Sequence, residues 1–159
     1  MKQIEFELSQ SSVLKALKQL DKELSKTERL LSECCRRLAK IGYQVAKDGL
    51  DAAVYDGDKN YTIEIVHEED GYAIIAQGQS VLFMEFGAGI RYGHGHPEPQ
   101  GFGPGTYHGH GRWKDPHGWW YWDGGQWQHT YGNPPSMAFY HARQAMLLEV
   151  YEVMREVFK

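Results

Sequence analysis

Histidine is the residue type in this chain best equipped for chemistry, and six of the eight histidines lie between positions 94 and 129. His94-Gly95-His96 and His108-Gly109-His110 form two His-x-His pairs, with His117 and His129 nearby. Zinc accepts neutral imidazole nitrogens, and four of them can close a tetrahedral site. Glu85, upstream of this cluster, could serve as the base of a metal-assisted hydrolysis. Against that, the residues between the histidines are largely Gly and Pro, with no pattern of second partners to orient the rings. No His-Glu-x-x-His spacing and no Gly-x-Ser-x-Gly elbow occurs. Nothing beside Cys34 or Cys35 would activate a thiol. Gly101-Phe102-Gly103-Pro104-Gly105-Thr106 is glycine-rich but lacks the lysine of a phosphate loop. The expectation is therefore a protein that is not an enzyme and takes no cofactor, its histidines being polar loop residues at a subunit contact.

Aromatic residues form the second concentration. Trp119-Trp120-Tyr121-Trp122, then Asp123-Gly124-Gly125, then Gln126 to Tyr131 read as a β-hairpin, because Asp-Gly-Gly is strong turn chemistry between two aromatic runs. Successive side chains on a strand point to opposite faces, so the four aromatics at 119–122 cannot all be buried together. Trp113, Trp119, Trp120, Trp122 and Trp127, together with Glu85, are the candidate interface residues, since Trp suits an anchor in a partner. Two other readings stand beside this one. The rings could stack on sugars or bases, or two or three of the five tryptophans could make a local mini-core.

These residues need a scaffold. The 159 residues suffice for one domain, 1–159, with an insertion at about 87–131. Ile4, Phe6 and Leu8 alternate with polar residues and read as a strand over 2–8. Ser9, Ser11 and Ser12 are N-cap candidates for the helix that follows. In it Leu17, Leu20, Leu24, Thr27, Leu31, Cys34, Leu38, Ile41 and Val45 recur in steps of three and four, the seam of a long amphipathic helix. It is expected to pack on a sheet in preference to forming a coiled coil, with Asp21 able to cap a restart, weakening at Gly42 and Gly49, and an end at Asp56-Gly57-Asp58. Residues 61–66 and 72–76 read as a hairpin around an acidic turn at 67–71. Residues 80–86 read as a third strand, or a short helix running into one. Residues 87–118 show no period and read as a long loop that is either functional or partly disordered. Ser136 is the expected N-cap of a last helix, striped by Met137, Tyr140, Met146, Leu147, Val150, Tyr151, Met154 and Phe158. The fold class is α+β: a small, mostly antiparallel sheet packed with a long N-terminal helix and a C-terminal helix.

Charge narrows the partners. The net charge is formally −4, so nonspecific nucleic-acid binding is not the default. Residues 11–50 nevertheless carry nine Lys and Arg against Asp21, Glu23, Glu28, Glu33 and Asp48. This basic helix is either a solvated face or a contact for an acidic neighbour or DNA. Residues 1–8 have no apolar run of the signal-peptide kind, and no segment reaches the ~20 apolar residues of a membrane span. Adjacent Cys34 and Cys35 offer no disulfide framework, in keeping with a reducing cytoplasm.

Val81-Leu82-Phe83-Met84-Glu85-Phe86-Gly87-Ala88-Gly89, a tryptophan-containing insertion, and Gly132-Asn133-Pro134-Pro135-Ser136-Met137-Ala138-Phe139 leading into a final helix follow one another in this order. The order resembles the neck or tail-completion proteins of long-tailed bacteriophages. Ala88 stands where that family commonly has Thr, and the insertion here is longer and richer in His. The resemblance implies a virion structural protein at the head–tail junction, present in the host cytoplasm during assembly. It implies a homo-oligomeric ring contacting connector, tail-terminator or tail-tube proteins, with DNA passing through without sequence-specific binding and no membrane association.

Overall fold

The computed structural model describes residues 9–89, 91–92, 96–97 and 115–159. The expected strand at 2–8, most of the long loop, Trp113, His94, His108 and His110 lie outside the described residues. The architecture is α+β, as the sequence pattern indicates. Helix α1 (Gln10–Asp51) is followed by strands β1 (Thr62–Glu68) and β2 (Gly71–Gln77) and helix α2 (Val81–Phe86). Strands β3 (Trp119–Trp122) and β4 (Trp127–Thr130) and helix α3 (Ala138–Val157) complete it. Among the described residues the strands form two separate antiparallel hairpins, β1–β2 and β3–β4, rather than one sheet.

Helix α1 is continuous for 42 residues and does not restart at Asp21. Ser9 caps it, its hydroxyl oxygen accepting from the Ser12 N–H at 3.3 Å. The helix ends at Asp51, earlier than the Asp56-Gly57-Asp58 turn. The chain leaves the helix there to bury Ala53, whose carbonyl accepts from Lys59 Nζ at 2.5 Å. The β1–β2 turn is also tighter than expected, with Glu68 paired to Gly71 and only Glu69-Asp70 between them.

The packing of α1 departs from the large-residue seam. Its buried residues are mostly small: Ala16, Cys34, Ala39, Gly42, Ala46 and Leu50. A Cβ placed on Gly42 would lie 2.7 Å from Met146 Sδ and 2.8 Å from Ile74 Cδ1. One on Gly49 would lie 2.8 Å from Ala138 Cβ and 2.9 Å from its Cα. Gly42 and Gly49 thus let α3, with its own buried Ala138 and Ala142, lie close against α1. Their cost in helix propensity is accepted for that approach. Leu38, Ile41 and Val45 flank this small-residue face and are half-buried.

The contacts run antiparallel, from Gly49 beside Ala138 through Gly42 beside Met146 to Arg37 Nη1, which donates to Glu156 Oε2 at 3.2 Å. Helix α3 therefore ends alongside Arg37, and the first half of α1 runs past it. Leu17, Leu20, Leu24 and Leu31, expected to be core, are accordingly 45–60% exposed. The core lies at the other end. Leu50 and Met84 are fully buried, with Ala53, Val81 and Ala138 around them and Tyr61, Ile63, Ala76 and Phe139 packed against the cluster.

Of the two readings of residues 80–86 the short helix is the one found; an isolated bridge at Ala88, rather than a strand, follows helix α2. Val81, Met84 and Glu85 are its buried residues, a three-and-four spacing that suits one helical face and not an alternating strand. Gly87 then leaves the helix with φ 75°. Ala88 pairs with Asn133 through Ala88 N–H to Asn133 O at 2.9 Å and Asn133 N–H to Ala88 O at 3.0 Å. Gly132 faces this crossing so closely that a Cβ there would sit 1.9 Å from the Ala88 carbonyl oxygen.

Two outcomes follow. In urea denaturation of the purified chain, Leu50→Ala or Met84→Ala should cost about 2–5 kcal/mol, whereas Leu24→Ala should be near neutral. Gly49→Ala should destabilise by about 1–3 kcal/mol despite its gain in helix propensity, because the new methyl meets Ala138 backbone. A Leu24 variant as costly as the Leu50 variant would contradict this placement of the core. A second measurement concerns acid. Hydrogen bonds from Arg36 and Arg37 hold the Glu33 carboxyl down from 4.5 to about 2. A depressed carboxylate stabilises the folded state above its unfolded value and loses that contribution as pH falls toward its folded one. The bridges within α1 around Glu33 should therefore weaken between pH 4.5 and about 2, and Glu33→Gln should flatten that part of an acid-unfolding curve.

Candidate interaction surface

Glu85 belongs to α2, yet its carboxylate closes the start of α3. Oε2 accepts from the Phe139 N–H at 2.9 Å, and Oε1 accepts from the Tyr140 N–H at 3.1 Å. The end of α2 adds backbone acceptors, Met84 O to the Ser136 N–H at 2.7 Å and Glu85 O to the Met137 N–H at 3.2 Å. The first N–H groups of a helix have no partner within it, and a negative charge there also meets the favourable end of the helix dipole. Ser136, the expected N-cap, does not take this role. Met137 is the capping position, in left-handed conformation at φ 55°, with no side-chain cap bond. The Ser136 hydroxyl is buried with no hydrogen-bond partner among the described residues.

The same carboxylate holds His96. The ring Nε2 lies 3.2 Å from Oε1, and both side chains are almost completely buried. The imidazole packs against Phe86, centroids 4.5 Å apart, and edge-on to Tyr140 at 5.9 Å. An open cleft of about 500 Å³ adjoins this cluster, lined by Ile74, Val81, Phe86, Tyr140 and Arg143 among others. Glu85, a candidate interface residue by sequence, is here an acceptor for backbone N–H groups of α3. Both oxygens are engaged, in the geometry of a cap.

The remaining described histidines stand apart from this one. His129 Nε2 donates to the His117 carbonyl oxygen at 2.9 Å, so the two imidazoles do not converge. Among the described residues no group of three or more His, Cys, Asp or Glu side chains is placed to hold a metal ion.

The second hairpin projects most of its aromatics outward. Trp119 and Tyr121 face inward, and the Tyr121 hydroxyl donates to Asp56 O at 3.2 Å, docking the hairpin on the segment after α1. The alternate residues Trp120 and Trp122 are 63% and 56% exposed, and Trp127 is 63% exposed. They belong to an aromatic face. Trp122 meets Trp127 edge-on at 5.6 Å, Trp120 meets His129 at 4.9 Å, and His129 meets Tyr131 at 4.8 Å. The Arg91 guanidinium sits 3.5 Å above the Tyr131 ring. The turn is built by Asp123, whose Oδ1 accepts from Gly125 N–H at 3.0 Å and Gln126 N–H at 2.9 Å. Those backbone bonds hold its carboxyl below the usual range. Alternation was readable from sequence. The histidine, tyrosine and arginine that extend the face beyond the tryptophans were not, because cross-strand register determines which neighbours meet.

No protein-family model, no curated protein and no solved structure matches the chain. Among the described residues, no helix is long and apolar enough to cross a membrane.

The Glu85 cap yields a graded expectation. Glu85→Ala leaves two N–H groups of α3 and the His96 ring without their acceptor and should cost about 2–4 kcal/mol in chemical denaturation. Glu85→Gln keeps one acceptor oxygen and should cost roughly half as much. Equal losses for the two variants, or a loss no larger than for exposed Glu68→Ala, would mean that the carboxylate does not act as the cap.

Proposed function

We propose that this protein is a virion structural protein of the head–tail junction of a long-tailed bacteriophage, a ring-forming adaptor rather than an enzyme. It would assemble in the host cytoplasm, contact connector, terminator or tube proteins, and leave a passage for DNA. The observation that carries the reading is the role of the motif residues. The two stretches that carry the resemblance, Val81 to Gly89 and Gly132 to Phe139, are far apart in sequence but form one unit through the Ala88–Asn133 pairing and the Glu85 cap. Assembly is further supported by the surface, where a tryptophan face and an apolar helix arm are exposed on one small chain.

A binding module for glycan or nucleic acid would use the same tryptophans. Trp122 meets Trp127 edge-on, Trp120 meets His129, and among the described residues the cation stacked on this aromatic face is Arg91, over Tyr131. That suits anchoring in a protein neighbour better than base stacking along a phosphate chain, which needs a cationic groove.

Replacing both Trp120 and Trp122 with Ser should leave the helical far-UV signal and thermal midpoint within a few degrees of the parent. It should abolish ring formation in light scattering and tail joining in an in vitro complementation assay. Loss of the fold would make these rings core. A folded variant that still joins tails would remove them from the interface, and a parent chain that stays monomeric and binds oligosaccharide would favour the module.

A further inference from the structure

The second hairpin borders a cavity on its inward side. Trp119 and Tyr121 meet the segment after α1 and helix α2 around a space of about 210 Å³, with Tyr55 and Phe83 also in its walls. The Tyr55 and Phe83 rings lie within 18° of parallel, centroids 6.5 Å apart. Sites for drug-sized ligands run from roughly 300 to 1,000 Å³, so this one suits a single small group. Aromatic rings attract cations to their faces, where the quadrupole is negative.

The polar groups of the cavity are mostly acceptors. Asn133 is 4% exposed, and both its side-chain N–H groups are spent, on Phe83 O at 2.8 Å and Pro134 O at 3.2 Å. Two carbonyl acceptors fix the orientation of the amide, so Oδ1 is what it has left to offer. Asp56 is exposed at the same cavity, and its backbone oxygen, not its carboxylate, receives the Tyr121 hydroxyl. Tyr55 and Thr130 add hydroxyls, and the Trp119 indole N–H is the fixed donor. Among the described lining residues none is Lys, Arg or His. Burial, then Tyr121, Asp58 and Asp56, pushes the Tyr55 hydroxyl up; burial, then Asp56 and Asp123, does the same at Tyr121. Both rings thus stand in a negative field.

Aromatic walls, unspent acceptors and negative charge together match a planar cation that only donates. Guanidinium has five N–H donors and no acceptor, and it stacks on aromatic faces. A phosphate would meet Asp56 with no cation to hold it, and a sugar presents as many acceptors as donors. One guanidinium binds weakly by itself, so it serves as part of a larger contact, and the exposed tryptophans of the same hairpin supply anchors for one. We propose that this cavity receives an arginine side chain of a partner polypeptide, its guanidinium against the aromatic walls and bonded to Asp56 and Asn133 Oδ1. The inference goes beyond the virion reading and does not rest on it.

The test is an NMR titration of the full chain with acetyl-Gly-Arg-Gly-amide and with its citrulline and lysine counterparts. Citrulline keeps the shape and loses the charge; lysine keeps the charge and loses the plane. The arginine peptide should bind roughly tenfold tighter than the citrulline peptide and about threefold or more tighter than the lysine peptide. Asp56→Asn, an exposed and isosteric change, should weaken it about five- to tenfold. Tyr55→Leu should abolish binding, whereas Glu69→Gln, at the turn of the first hairpin, should leave it unchanged. Circular dichroism checks the fold of each variant, and Asp56→Asn decides the matter if Tyr55→Leu unfolds. No binding, equal binding of the arginine peptide and either counterpart, or indifference to Asp56→Asn would overturn the proposal. So would tighter binding of free L-arginine than of the peptide, which assigns the cavity to a small molecule. Arginine-peptide binding that appears only in Arg112→Gln would overturn it too, by assigning the cavity to the chain's own arginine.

Discussion

The structure turns on an exchange between two helix ends. A carboxylate taken out of water is costly unless it is met by hydrogen-bond donors, and the opening turn of a helix has N–H groups with no partner of its own. Glu85 and α3 resolve both problems together. The consequences spread outward. Once α2 caps α3, Met84 is held against Leu50 and Ala138, and the chain after α2 must cross the chain before α3. That crossing leaves no room for side chains at Gly132. His96 is bonded to the same carboxylate and so is held against the body.

Much of the fold was legible because its signals are local. β-branched and aromatic runs on either side of turn residues marked both hairpins, and the three-and-four spacing marked both long helices. The α2 region was ambiguous because the short apolar run Val81–Met84 satisfies a buried strand and a buried helix equally. What decided it was tertiary: Glu85 reaches the α3 N–H groups from the end of a helix. For the same reason Ser136 read as the cap. Its residue type suits the position, but a carboxylate from another element already holds the donors.

The α1 seam shows a different limit. Hydrophobic periodicity locates a face that avoids water; it does not say what lies opposite. The large residues suggested a core, whereas the close contact is made by Ala39, Gly42, Ala46 and Gly49, residues that hydropathy weights lightly. Glycine in a helix interior read as a weakness, since the sequence carries no sign of α3 approaching there. Closely packed helices put small residues at the point of contact and larger ones beside it, and Leu38, Ile41 and Val45 occupy that flanking place.

The division of apolar material between inside and outside bears directly on what the chain is for. Among the described residues the buried core is modest, with Leu50 and Met84 as the only large, fully enclosed side chains. Leucines along the α1 arm, Leu147, Leu148 and Tyr151 on α3, and three tryptophans on the second hairpin stay in water. A chain selected to be stable and soluble alone would replace many of these with polar residues at little cost to its fold, because they contribute little to its own interior. Their retention in three places, each on a regular element that holds them in a fixed array, is explained if each array is completed by another surface. The body then acts as a mount. The Glu85 cap and the small-residue helix contact set the angles of the arm and the second long helix, while the Tyr121–Asp56 bond sets that of the aromatic face. Substitutions in the mount and in the arrays should accordingly differ in kind, the first registering in stability and the second in assembly.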